Sequence, residues 1–123
     1  MNRREIWTRG EVAAKRYLEE KGYRILDENY AGRMGEIDLI AKDGEVVVFL
    51  EVKARESTAF GYPIEAVTPQ KVRKIALTAQ QYLVQKRMLG ASVRFDVIEV
   101  LYGEINHVEN AFSMKDAAKY LKY

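Results

Sequence analysis

Gly35-Glu36-Ile37-Asp38-Leu39-Ile40-Ala41-Lys42-Asp43-Gly44-Glu45-Val46-Val47-Val48-Phe49-Leu50-Glu51-Val52-Lys53-Ala54-Arg55 is the stretch whose reading decides the fold. Gly35 to Ala41 alternates as a strand does, with Glu36, Asp38 and Ile40 on one face and Ile37, Leu39 and Ala41 on the other. Asp43-Gly44 is a hairpin-turn signal. Glu45 to Arg55 is then the returning strand, and its first half is apolar on both faces, which marks a central strand covered on both sides. With Asp43-Gly44 as the loop, Lys42 stands opposite Glu45, Asp38 opposite Phe49 and Glu36 opposite Glu51. Asp38 is diagonal to Glu51 in that register, about 7–8 Å away, close enough for two side chains to converge on one ion. Alternation adds Lys53 to the same face.

Other elements fall into place around this hairpin. Thr8-Arg9-Gly10-Glu11 has the spacing of a capping box, and Gly22 ends the helix it would start, whose apolar stripe is Ala14, Tyr17 and Leu18. Tyr23 to Leu26 reads as a first strand, followed by a polar stretch to Gly35. Thr68-Pro69 opens a second helix that runs to about Leu89 and stops at Gly90, burying Val72, Ile75, Ala76, Ala79 and Tyr82. Val93 to Leu101 and Ile105 to Glu109 are the last strands, and Ser113 to Tyr123 is a terminal helix. The long helix is a crossover, so the strands on either side of it can run parallel.

Composition narrows the function. The chain has 123 residues, enough for one domain, with 48% hydrophobic and 31% charged residues, as expected of a folded globular protein. It has no cysteine, which removes disulfides, thiolate metal sites and cysteine nucleophiles, and its single histidine, His107, argues against a multi-histidine zinc site. The longest apolar run, Val46 to Leu50, is far short of the ~20 residues of a membrane span. The first residues hold no secretory signal, and a cytoplasmic location is the expectation. A net charge of +2 is too small for a bulk polyelectrolyte binder, so any phosphate-binding function has to rest on local clusters.

The carboxylate face is such a cluster. Glu36, Asp38 and Glu51 lie beside an otherwise apolar strand, and carboxylates near a core are costly unless they are paired or bind a metal. Lys53 supplies one positive charge and a divalent ion the second; oxygen ligands without histidine or cysteine suit Mg2+ or Mn2+. The bland alternative is a solvated hairpin end in which the glutamates pair with Lys53 or Arg55. The same Glu-x-Lys letters in Glu19-Glu20-Lys21 lie on a helix, where residues two apart diverge, so that copy is a solvated face.

Asp38, then Glu51-Val52-Lys53 on the next strand, after a helix bearing Glu11, resembles the restriction-endonuclease-like superfamily with its PD-(D/E)xK motif. More closely, the chain resembles the YraN family of bacterial proteins. The matching segments are Gly10-Glu11, Gly22-Tyr23, Gly35 to Ile40, Phe49 to Lys53, Phe60-Gly61, Lys71 and Phe95-Asp96. Archaeal-type Holliday junction resolvases are similar in pattern. The resemblance implies an α/β fold with a restriction-endonuclease-like core: a central mixed sheet flanked by helices, in the order αβββαββ with a short C-terminal helix. It implies an Mg2+- or Mn2+-dependent endonuclease acting on structured or branched DNA, with a homodimer as the assembly that cuts two strands symmetrically. Asp38 and Glu51 correspond to the metal-binding carboxylates, Lys53 to the motif lysine that orients or activates water, and Glu11 to the helix glutamate that completes the site. Ile37 stands where the motif has proline, a position that often varies.

Several residues keep two readings. Glu11 is a capping-box acceptor or a site residue, and the resemblance favours the site; Glu36 lies behind the ligands or faces water. Gln70 and Lys71, at a helix start, suit a phosphate or a solvated first turn. Asp96 is a ligand or a structural hydrogen-bond acceptor. Arg33, Arg55 and the Arg3-Arg4-Arg9 group are candidates to grip a backbone, whereas Arg73, Lys74, Lys86 and Arg87 read as a solvated face. His107 reads as a surface residue and Trp7 as a packing anchor. The alternative function is a non-catalytic nucleic-acid-binding module of the same fold.

Overall fold

The computed structural model describes residues 3–55 and 68–118, with side chains from residue 8 onward except those of 116 and 118. Phe60-Gly61, the side chains of Arg3, Arg4 and Trp7, and the end of the terminal helix lie outside the described residues. The elements are α1 (Arg3–Glu20), β1 (Arg24–Ala31), β2 (Glu36–Asp43), β3 (Val46–Arg55), α2 (Pro69–Gln85), β4 (Ser92–Leu101), β5 (Glu104–Phe112) and α3 (Met114–Ala118). The strands form one mixed sheet in the order β1-β2-β3-β4-β5. All neighbours are antiparallel except β3 and β4, which run parallel as the α2 crossover allows. The α/β architecture expected from the sequence is the one observed.

Helix α1 begins before Thr8, which corrects the capping-box reading: Thr8 and Glu11 are interior helical residues. Nothing in Arg3 to Trp7 breaks a helix, so the chain coils ahead of Thr8. Gly10 has another role there. A Cβ on Gly10 would stand 2.3 Å from the Ala54 Cβ, so its lack of a side chain lets α1 close onto β3. At the other end Tyr23 N–H donates to the Leu18 carbonyl and Gly22 N–H to Glu19, with Gly22 at φ 95°, a Schellman stop as the sequence predicts. The polar stretch after Leu26 continues the strand as far as Ala31, and residues 32–35 connect it to β2. β1 is an edge strand, so its polar residues face water while its backbone pairs with β2.

The hairpin register differs from the expected one. Asp43 pairs with Val46 and the loop is Gly44-Glu45, so the ladder shifts by two residues. Only Gly44 of the loop takes positive φ, 59°, as a turn with glycine at its first central position requires. The Asp43 side chain, at the end of β2, is bound by Arg94 of β4 at 3.0 Å. A shift of two leaves the faces unchanged along the ladder, with Leu39 and Ala41 against α1 and Ile40 against α2, but beyond the ladder Ile37, expected with Leu39, packs with Ile40 on the α2 side. The shift does move Asp38: just beyond the last ladder pair, Leu39 with Leu50, its Oδ2 meets the Val52 N–H, and the charge of Glu51 acts on it.

Two cores sandwich the sheet. α1 covers one face through Ala14 and Leu18 against Leu39, Val48, Leu50, Val52 and Ile98. α2 covers the other through Ala79, Tyr82 and Leu83 against Ile40, Val47, Phe49 and Phe95. β3 is thus buried on both sides, as its apolar run predicts. α2 ends at Gln85, short of the expected Leu89, because Arg87 enters the left-handed region (φ 55°) while Met88 N–H caps Leu83. Among the described residues, no helix is long and apolar enough to cross a membrane.

Candidate active site

On the α2 face, the C-terminal half of β3 carries Glu51 and Lys53, the facing strand β2 carries Asp38, and the first turn of α2 carries Lys71. Asp38 is held by the backbone: its Oδ2 accepts the Val52 N–H at 2.8 Å, a bond across the hairpin just past its last ladder pair. Burial pushes the Asp38 carboxyl up to about 6, the Val52 N–H opposes this, and the charges of Glu51 and Glu36 push it further against the pull of Lys71. Lys71 forms an ion pair with Glu51 Oε1. The other oxygen, Glu51 Oε2, is buried and has no hydrogen-bond partner among the described residues.

The helix start explains how Lys71 reaches this spot. Thr68 in extended conformation caps α2 by accepting the Lys71 N–H at 3.2 Å, and Pro69 occupies the first helical position, as Thr68-Pro69 predicts. A cavity of about 190 Å3 opens beside the pair, bordered by Glu36, Asp38, Glu51, Lys71 and Lys74. Its wall is apolar, with Phe49, Ile75, Phe95 and Phe112. Lys74, expected on a solvated face, therefore belongs to the rim. Gln70 is exposed and is not among the residues bordering the cavity. Glu36 is exposed at the mouth and acts on Asp38 through its charge.

Glu11 lies on α1 and accepts a hydrogen bond from Asn29 Nδ2 at 3.1 Å. Asn29 lies on β1 between Glu28 and Tyr30, which pair with Leu39 and Ile37, but α1 covers the sheet face opposite α2, and Glu11 neither borders the cavity nor figures among the charges acting on Asp38. Among the described residues, no three carboxylate or imidazole side chains converge on one point. The cluster brought together is Asp38, Glu51 and Lys71, with Lys53 next along the same face.

Two further predicted residues have other work. Arg55 is not free to grip a backbone: it is mostly buried and ion-paired with Glu99. Glu99 is a buried carboxylate that sequence reasoning missed; the parallel register sets it beside Lys53, and no local pattern reveals a parallel register. Asp96 is a structural acceptor on the α1 side, bound by Arg94 (3.0 Å), the Asn110 N–H (3.1 Å) and His107 Nε2 (2.7 Å). Burial opposes its charge, yet the bonds from His107, Arg94 and Asn110 prevail and hold its carboxyl below the usual value. Since a carboxylate only accepts, His107 Nε2 carries the hydrogen and Nδ1 accepts from the Tyr17 hydroxyl at 2.9 Å. His107 is therefore a packed network residue, with 4% of its side chain exposed, and not a surface one. The strand pattern alone could not show this, because it depends on which residues cover β5.

Comparison with known proteins places this geometry in a family. The sequence pattern described as Uncharacterised protein family UPF0102 matches residues 10–100. The chain belongs to that family. A UPF0102 protein of Alkaliphilus oremlandii is 51% identical over 116 residues, covering 89% of this chain and 98% of the relative. One of Persephonella marina is 47% identical over 105 residues, covering 85% and 90%, and one of Caldicellulosiruptor saccharolyticus 41% over 118 residues, covering 91% and 100%. UPF0102 is the YraN family that the sequence motifs resemble, and its matched region contains Glu11, Glu36, Asp38, Glu51, Lys53, Lys71 and Lys74.

Proposed function

We propose that this UPF0102 protein is a metal-dependent endonuclease that hydrolyses phosphodiester bonds in structured or branched DNA. The observation that carries the reading is the proximity of Asp38 to Glu51: Lys71 pairs with one oxygen of Glu51, the other is buried without a hydrogen-bond partner among the described residues, and Asp38 is driven towards its neutral form. Two converging carboxylate side chains with an open oxygen fit Mg2+ or Mn2+, which need only one or two protein carboxylates and take their other ligands from water and phosphate. Asp38 and Glu51 would hold the ion, which polarises the phosphate and relieves charge on the leaving oxygen. Glu11, bonded to Asn29 and carried by the helix on the other sheet face, lies apart from this pair, and a role for it in the site rests on the family resemblance.

The chain's own groups have separable tasks. The Val52 N–H fixes the Asp38 carboxylate, so its orientation needs no reorganisation on binding. Lys53 orients the attacking water and faces the charge that develops on the phosphate. Lys71 neutralises Glu51 and presents a cation to the incoming backbone, with Lys74 one turn further along the helix. Gln70, exposed on the same first turn, is a backbone contact, and Arg33, exposed in the β1–β2 connection, is another.

The second reading, a non-catalytic nucleic-acid-binding module, is favoured by one observation: Lys71 already neutralises one oxygen of Glu51. Cleavage of labelled four-way junction, flap, single strand, duplex and structured RNA with Mg2+ or Mn2+ separates the two. The nuclease reading expects cutting of one substrate class that vanishes in Asp38→Ala. Binding without cutting under every condition supports the module.

A further inference from the structure

Behind the cavity beside the carboxylate pair lies a tier of rings, with Phe49 and Phe95 buried and Phe112, with Ile75, part-exposed at its surface. Phe95 stacks on Phe112 at 4.7 Å between centroids and 16° between planes, and on Phe49 at 5.5 Å and 25°, making a tier across β3, β4 and β5. The partly open space of about 190 Å3 is continuous with the charged site and large enough to admit a small ring system. Its mouth carries Lys71 and Lys74, which lie on one helix face three residues apart. An occupant matching both parts has an apolar planar body and an anionic linkage.

We infer that the cavity beside Asp38 and Glu51 receives one unpaired nucleobase adjacent to the scissile phosphate, with Lys71 and Lys74 holding the flanking phosphate. This rests on the nuclease reading and names its substrate: a strand with at least one unpaired nucleotide at the cut, as at a branch, flap or end. The volume is below the ~300–1,000 Å3 of pockets for drug-sized ligands, so it suits one ring system and not a base pair. Packing against apolar walls does not distinguish bases, so the selection is for an unpaired nucleotide and not for sequence.

The test uses the whole protein with Ca2+ and a flap oligonucleotide carrying 2-aminopurine at the branch nucleotide, compared with the same flap abasic at that position. The expected results are a change in 2-aminopurine fluorescence on binding and about ten-fold weaker binding of the abasic flap, the scale of one stacked base. Ile75→Trp, which fills the cavity, is expected to bind both flaps equally while keeping its response to Mg2+ in thermal melts. Chemical shifts of Phe112 and Ile75 on addition of deoxynucleoside monophosphate give a readout without cleavage, and movement of both is expected. Equal affinity of the wild type for intact and abasic flaps, with unchanged fluorescence, overturns the inference. If continuous duplex is then cut as well as the flap, the nuclease reading stands and the cavity assignment alone fails. If no substrate is cut and no nucleotide is bound, both fail.

Discussion

Replacing Asp38 by Asn should stabilise the metal-free protein, and only at a pH above the ordinary carboxylate value, where the unfolded chain has released its proton. In the folded chain this group titrates at about 6, against an ordinary value of 3.8. Between those values the folded state keeps the proton that the unfolded chain has released, so stability falls as pH rises through the window. The loss is complete above pH 6 and amounts to about 3 kcal/mol, from 1.36 kcal/mol per pKa unit. At pH 4 it is below about 1 kcal/mol. Asn cannot ionise, and its carbonyl can still accept the Val52 N–H, so the variant escapes the penalty without losing the bond. Thermal melts in EDTA are the assay: a chain of this size should gain roughly 10 °C at pH 8 and little at pH 4. A variant less stable than wild type at pH 8, or a gain equal at both pH values, would refute the argument that burial and neighbouring carboxylates destabilise ionised Asp38.

Metal should invert that ranking: at pH 8 millimolar Mg2+ or Mn2+ raises the melting temperature of wild type and leaves Asp38→Asn unmoved, as differential binding to the folded state requires. Lys71→Met removes the cation that pulls Asp38 down, so the Asp38 carboxyl should titrate above its wild-type value when followed by carbon-detected NMR. Gly10→Ala, which places a Cβ against Ala54, should cost about 1–3 kcal/mol in urea denaturation, as overpacking does. Asp96→Ala leaves Arg94 and His107 without their buried acceptor and should cost about 3–5 kcal/mol in the same assay. Because the Asp96 carboxyl is held below its usual value, its contribution in wild type is present above the ordinary carboxylate range and should fade as pH falls through the folded value.

Much of this protein is written in local pattern. The alternation of Glu36 to Ala41, the two-sided apolar run Val46 to Leu50 and the Thr68-Pro69 cap are short-range signals, and each produced the element it implied. The common face of Asp38, Glu51 and Lys53 was legible too, because strand periodicity survives a register shift of two residues. The register itself was not. In the observed register Asp43 pairs with Val46, the turn is Gly44-Glu45, and the Asp43 carboxylate meets Arg94 from a strand distant in sequence. Tertiary packing likewise made Gly10 a contact point, buried His107 against Asp96 and tied Arg55 to Glu99. Periodicity determines which face a side chain occupies, because it depends only on backbone geometry. What stands opposite that side chain depends on contacts between distant residues, and these decided that Asp38 meets Glu51 and that Lys71 completes the group.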